Sequence, residues 1–207
     1  GRGSLANIRG GNVGMLFETG AGSRVNFTGG TIDDILMVHA GSEFVISGGE
    51  FRLNGSLIGG LNALGSTRAI DIPANAVLSG TLADGRPFAF SDQLSDYIDA
   101  GTLTLKSASL PTAGPAVFQV TDAHAPQGLR TGQSLIVEDG GVVGDAFNAN
   151  WGTAVTVNGG RLGNNFEATG AVVNITGGSV GYRFKALYGS LVNISGGTID
   201  RVLFATR

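Results

Sequence analysis

The residues able to do chemistry are few and scattered. Asp92, Asp96 and Asp99 lie close together in a polar stretch, and two carboxylates across a groove are what glycoside hydrolysis requires. The stretch reads as a loop of a cap, and nothing else converges on it. Lys106 and Lys185 are the only lysines, so a polysaccharide lyase, which needs a base beside calcium-holding acids, finds no acid set repeating on one column. Asp33 and Asp34 are adjacent and point to opposite faces of a strand. His39 and His124 each stand without a second ligand at fixed spacing, which argues against zinc. Gly10-Gly11-Asn12-Val13-Gly14 lacks the Lys-Ser/Thr of a phosphate loop. The expectation is a non-enzyme with no catalytic, cofactor-binding or metal residues. Trp151, Tyr182 and Tyr188 are a different kind of candidate: aromatics near corners, either a stacking platform for a glycan or ordinary packing.

The elements that would position these residues follow from a paired glycine. Gly10-Gly11, Gly29-Gly30 and Gly48-Gly49 are spaced by 19 residues, and Gly140-Gly141, Gly159-Gly160, Gly177-Gly178 and Gly196-Gly197 by 19, 18 and 19. Such self-similarity marks a solenoid of stacked units. Before the pair, apolar and polar residues alternate, as in Val25-Asn26-Phe27-Thr28, Val173-Asn174-Ile175-Thr176 and Val192-Asn193-Ile194-Ser195, which is a half-buried strand. An apolar residue follows at Val13, Ile32, Phe51, Val143, Leu162, Val180 and Ile199, then a large one at Phe17, Leu36, Phe147, Phe166, Phe184 and Leu203. Glycine suits the corners, where positive φ or close backbone approach is needed. Three short strands fit each coil, each side about 15–20 Å long at a rise of about 3.3 Å per residue. The fold class is all-β, a parallel β-helix, right-handed because the spacing departs from the six-residue repeats of the left-handed class. Asn7, Asn26, Asn174 and Asn193 should form an outward column, read either as a hydrogen-bonded ladder or as a ligand stripe.

Four segments emerge. Residues 1–51 are a first coil stack, and 134–207 are a second. Residues 52–109 break the repeat and read as a β-rich cap, with a hairpin whose arms flank Ala83-Asp84-Gly85-Arg86. Residues 110–133 are a linker and lead-in to the second stack.

Composition excludes several classes. The chain has 207 residues, net charge −3 and 14% charged residues, so it carries no basic nucleic-acid footprint. No apolar run reaches the length of a membrane span. With 42% hydrophobic residues, the 36 glycines belong to turns rather than to a disordered linker. Cysteine is absent, which fits exported fibrous proteins but is neutral on compartment.

The string Val192-Asn193-Ile194-Ser195-Gly196-Gly197-Thr198-Ile199, varied at 25–32 and 173–180, resembles the repeats of bacterial cell-surface β-helix proteins, among them adhesin and autotransporter passenger domains. The resemblance implies export to the cell surface or beyond, a structural or adhesive role, and no catalytic residue. Neither the first nor the last coil reads as capped, which fits either a subunit whose ends stack on further copies or a piece of a longer tandem protein divided inside its coils. The expected function is therefore an extracellular structural protein, a fibre subunit stacking head-to-tail on copies of itself. Leu5, Ile8, Val13 and Phe17 would form one face, and Val192, Ile194, Ile199 and Leu203 the other. A carbohydrate-binding adhesive module is the alternative, and a polysaccharide-degrading enzyme is the third reading.

Overall fold

The computed structural model describes residues 3–206 except 15, 34, 92–96, 100 and 123, and of 97–99 the backbone alone. Every element among the described residues is a β-strand, and parallel strands stack with the expected period of about 19 residues to form a β-solenoid. The chain divides into two compact units, 1–112 and 113–207.

The first unit opens with β1 (Leu5–Val13), β2 (Leu16–Thr19), β3 (Arg24–Ile32), β4 (Ile35–His39) and β5 (Glu43–Leu53). Strands β1, β3 and β5 stack in parallel, with Leu5 on Arg24 on Glu43 and Ile8 on Phe27 on Ile46. Each runs on through its glycine pair, and the β1–β3 register shifts at Arg9 and again before Asn12. Two sides of the coil thus merge into one bent strand, and β2 and β4 supply the third. The bend demands glycine: Gly30 has φ 92°, and a Cβ there would lie 2.7 Å from the Gly11 carbonyl oxygen of the preceding coil.

The non-repeating segment brings β6 (Ser56–Leu57), β7 (Thr67–Ile70), the hairpin strands β8 (Val77–Leu82) and β9 (Pro87–Ser91), then β10 (Tyr97–Asp99) and β11 (Thr102–Ser107). The hairpin closes on the Asp-Gly turn, where the Gly85 amide donates to the Leu82 carbonyl at 2.8 Å. Strands β10 and β11 return to the solenoid and extend it in parallel on β4 and β5. The remaining strands run the other way: β7 pairs antiparallel with β11, and β8 with the second half of β5. Antiparallel strands therefore cover that edge of the stack, as the management of open edges requires. Phe88 and Phe90 of β9 enter the same core as Phe27, Phe44 and Phe51, with Phe44 and Phe90 edge-to-face at 6.4 Å.

The second unit is more regular. Its coils are β12 (Val117–Val120) with β13 (Gly128–Leu129); β14 (Ser134–Val137), β15 (Val142–Val143) and β16 (Asn148–Ala149); β17 (Ala154–Val157), β18 (Arg161–Leu162) and β19 (Glu167–Thr169); β20 (Val172–Ile175), β21 (Ser179–Val180) and β22 (Phe184–Leu187); β23 (Leu191–Ile194), β24 (Thr198–Ile199) and β25 (Leu203–Ala205). They form three parallel sheets, ordered β12-β14-β17-β20-β23, β15-β18-β21-β24 and β13-β16-β19-β22-β25. Residues 117–129 lay down a coil of their own, with His124 bridging in parallel to Val142 between β12 and β13.

Inside, equivalent residues stack in columns. Phe147 lies flat on Phe166 at 5.5 Å, and Phe166 meets Phe184 edge-on at 5.3 Å. Beside the rings run Ala149, Ala168 and Ala186, whose small side chains leave the rings their volume. One corner is turned without glycine. Ala146, Asn165, Arg183 and Arg201 all have positive φ, between 53° and 68°, so the coil geometry holds ordinary residues in the left-handed region just before the ring column.

Candidate functional site

The first coil of the first unit and the last coil of the second each present an edge with no strand paired beyond it among the described residues. Strands β1 and β2 end their sheets on one side, and β23, β24 and β25 on the other. On the first coil, Ala6, Ile8 and Phe17 pack against the core but stay partly exposed. Val13 is likewise half-buried. On the last coil, Val192 and Ile199 pack against the core from its rim, while Ile194 is 47% and Leu203 42% exposed. Their column neighbours one coil inward, Ile175 and Phe184, are buried. The exposure of Ile194 and Leu203 thus comes from the open end of the column, not from an outward-pointing side chain.

Leu5 differs from the other seven residues expected on these faces. It pairs with Arg24 on the outward side of β1, while Ala6 takes the inward position over Val25. Leu191 stands in the same relation on β23, outward beside Val172. These two leucines, 62% and 55% exposed, flank the open edges rather than fill the core.

The asparagine column is a hydrogen-bonded ladder with a direction. Asn26 Nδ2 donates to Asn7 Oδ1 at 2.8 Å, and Asn193 Nδ2 donates to Asn174 Oδ1 at 2.8 Å. In both units the later coil donates and the earlier accepts. A second ladder follows the corner after the glycine pair. Asn164 N and Nδ2 donate to the two Asp145 carboxylate oxygens at 2.7 and 3.4 Å, and Tyr182 N donates to Asn164 Oδ1 at 2.9 Å. The first unit has a different contact beyond its glycine pair, with Asn12 Nδ2 of the earlier coil donating to Asp33 Oδ2 of the later one at 2.9 Å.

No known protein family, curated protein or solved structure matches the chain. Its function must be read from its own residues and their geometry.

The three aromatics separate. Trp151 and Tyr188 share a corner, between β16 and β17 and between β22 and β23, with ring centroids 6.2 Å apart. The indole lies across the next two coils: a Cβ on Gly170 would fall 2.2 Å from its Cδ2, and one on Gly189 2.6 Å from its Cη2. Its Nε1 is buried without a hydrogen-bond partner among the described residues. Tyr182 sits at a different corner, between β21 and β22, with the Arg183 guanidinium carbon 5.9 Å from its ring centroid.

The other candidates do not gather. Asp92 and Asp96 lie outside the described residues, as does the side chain of Asp99. Asp34 is also outside them, and Asp33 accepts from Asn12 of the preceding coil. His39 Nε2 and Glu18 Oε1 are 2.8 Å apart, one coil from each other. Among the described residues no three His, Cys, Asp or Glu side chains come together as a metal site.

Two polar contacts were not foreseen from the sequence. Asp84, at the hairpin turn, accepts from the Gly30 amide at 2.8 Å and from the Arg86 amide at 3.0 Å, fastening the hairpin to a glycine corner 54 residues away. Lys185 Nζ meets Glu167 Oε1 at 2.6 Å, with side chains only 3% and 13% exposed. Their spacing of 18 residues, one coil step, was the available signal for this pair.

Proposed function

We propose that this chain is an extracellular structural protein, a solenoid subunit that assembles end to end through its open coil faces. One observation carries the reading. The two open faces present the same columns, with Ala6, Ile8, Val13 and Phe17 at one and Val192, Ile194, Ile199 and Leu203 at the other. A coil laid on either face would bury apolar side chains at about 25 cal/mol per Å² and pair an open strand edge. The contact joins two unlike faces, so it does not close on itself and propagates as a filament. The likeness of the repeats to bacterial cell-surface β-helix proteins supports a place outside the cell.

Negative-stain electron microscopy across a concentration series tests it. Unbranched filaments with an axial repeat of one subunit are expected. Discrete single particles at every concentration would overturn the proposal.

The Trp151–Tyr188 pair favours a second reading, a glycan-binding surface module. An aromatic pair at a solenoid corner offers an apolar face to a sugar ring. Quenching or a blue shift of tryptophan emission on titration with a cell-surface polysaccharide would support it, and unchanged emission would count against it.

A further inference from the structure

We infer that copies of this chain mate in one register only, with β1 of one copy laid parallel on β23 of the next, Leu5 on Leu191, and Asn7 donating its side-chain amide to Asn193. The inference rests on the end-to-end assembly proposed above and specifies its geometry.

The asparagine ladder supplies the reason. Within each unit the Nδ2 of a later coil donates to the Oδ1 of the coil before it. At the first coil, Asn7 uses its Oδ1 to accept from Asn26, and its Nδ2 has no partner among the described residues. At the last coil, Asn193 uses its Nδ2 to donate to Asn174, and its Oδ1 has none among them. One open face therefore offers a spare donor, and the other a spare acceptor on the same column. Joined head to tail, the ladder continues in the same sense. Joined head to head or tail to tail, the faces would set donor against donor or acceptor against acceptor.

The flanking residues agree. In the sequence Leu5-Ala6-Asn7-Ile8 and Leu191-Val192-Asn193-Ile194 coincide position for position up to the glycine pair. Placing Asn7 on Asn193 puts Ala6 and Ile8 over the inward Val192 and Ile194. It also puts the two outward leucines, both more than half exposed, against each other. A slip by one residue would send every inward side chain of β1 to the outer face. The sides beyond the corner match as well, Val13 over Ile199 and Phe17 over Leu203. The asparagine pair lies on the exposed outer face beside the apolar contact, so it adds a direction to a register that the inward side chains already favour. A filament built this way is polar, its two ends chemically different.

The chain has no cysteine, so paired substitutions read the register directly. Strands one ladder step apart place register partners within disulfide reach. Leu5→Cys combined with Leu191→Cys, oxidised in the assembled state, should give a ladder of covalent multimers on non-reducing gels. The offset pair Leu5→Cys with Val192→Cys should not. Equal cross-linking of both pairs, or of the offset pair alone, overturns the register even if filaments form.

Asn7→Asp tests the polar lock. The carboxylate still accepts from Asn26, so the coil keeps its own bond, but the donor toward Asn193 is gone. The critical concentration for assembly should rise about threefold to fivefold, for a lost hydrogen bond on an exposed face that leaves two acceptors facing each other. Asn193→Lys in the same chain should return it most of the way. An Asn7→Asp chain that assembles at the wild-type concentration overturns the lock and leaves end-to-end assembly standing. A wild-type chain that never assembles overturns both.

Discussion

The two units solve the same problem in different ways. The second is held by near neighbours: its ladders, ring stack and Lys185–Glu167 pair all join residues about one coil apart. The first begins in the same manner and then departs from it. Its hairpin crosses back over the stack, Phe88 and Phe90 fill a core begun by Phe27 and Phe44, and Asp84 reaches a glycine corner far away in sequence. A repeat carries the instruction for its own continuation in each coil. Stopping it takes residues that belong to no repeat and run against the strands they cover.

Breaking the second unit at its middle should cost most. Phe166 lies between two rings and is fully buried, so Phe166→Ala should lose about 4 kcal/mol in urea denaturation. A loss under about 1 kcal/mol would mean the ring column collapses on itself and does not set the core. Lys185→Ala comes next. It strands the Glu167 carboxylate in a site where neither partner is well hydrated, a change expected to cost about 3 kcal/mol by the same measurement.

Two glycines on one column sharpen the contrast between an open edge and an interior. Gly178 has φ 75°, and a Cβ there would sit 2.6 Å from the Gly159 and Gly160 carbonyl oxygens, whereas Gly11, φ 78°, has nothing within 4 Å. Gly178→Ala should cost about 2–3 kcal/mol, from backbone strain and clash together, and Gly11→Ala about 1 kcal/mol, from the backbone alone. Equal thermal shifts for the two variants would show that conformation, not the coil beneath, decides. Asp84→Ala comes last, at about 1.5 kcal/mol for a part-buried amide losing its acceptor. Its signature should be local: amide exchange speeds up over 77–91 before it changes elsewhere.

The periodic part of the fold was legible because each position repeats its environment. Asn26 over Asn7 and Phe166 over Phe147 follow from the glycine spacing alone. The hairpin was legible from its Asp-Gly turn. The partners of these elements were not. Nothing local states that β11 rejoins the stack in parallel while β7 closes it antiparallel, because those pairings are decided by which edges remain open once the coils have formed. The merging of two sides of each early coil into one strand was hidden for a related reason: a glycine pair marks a bend but not how sharply it turns. Among the site residues, the inward set was readable from alternation. The outward direction of Leu5 was not readable, because a leucine at a strand start has the same type as a core residue and only its pairing with Arg24 shows that it faces out. Trp151 and Tyr188 meet because their corners stack, and Tyr182 stands apart because it belongs to another corner.

The indole that lies across the Gly170 and Gly189 corners has an optical consequence. Trp151 is the only tryptophan, and its ring system touches three successive coils at once. Its emission is therefore a built-in gauge of coil spacing, sensitive to fraying that begins at β23 and reaches Gly189 before it disturbs the phenylalanine column. The colour of one fluorophore reads how tightly the last turns of the spring are wound.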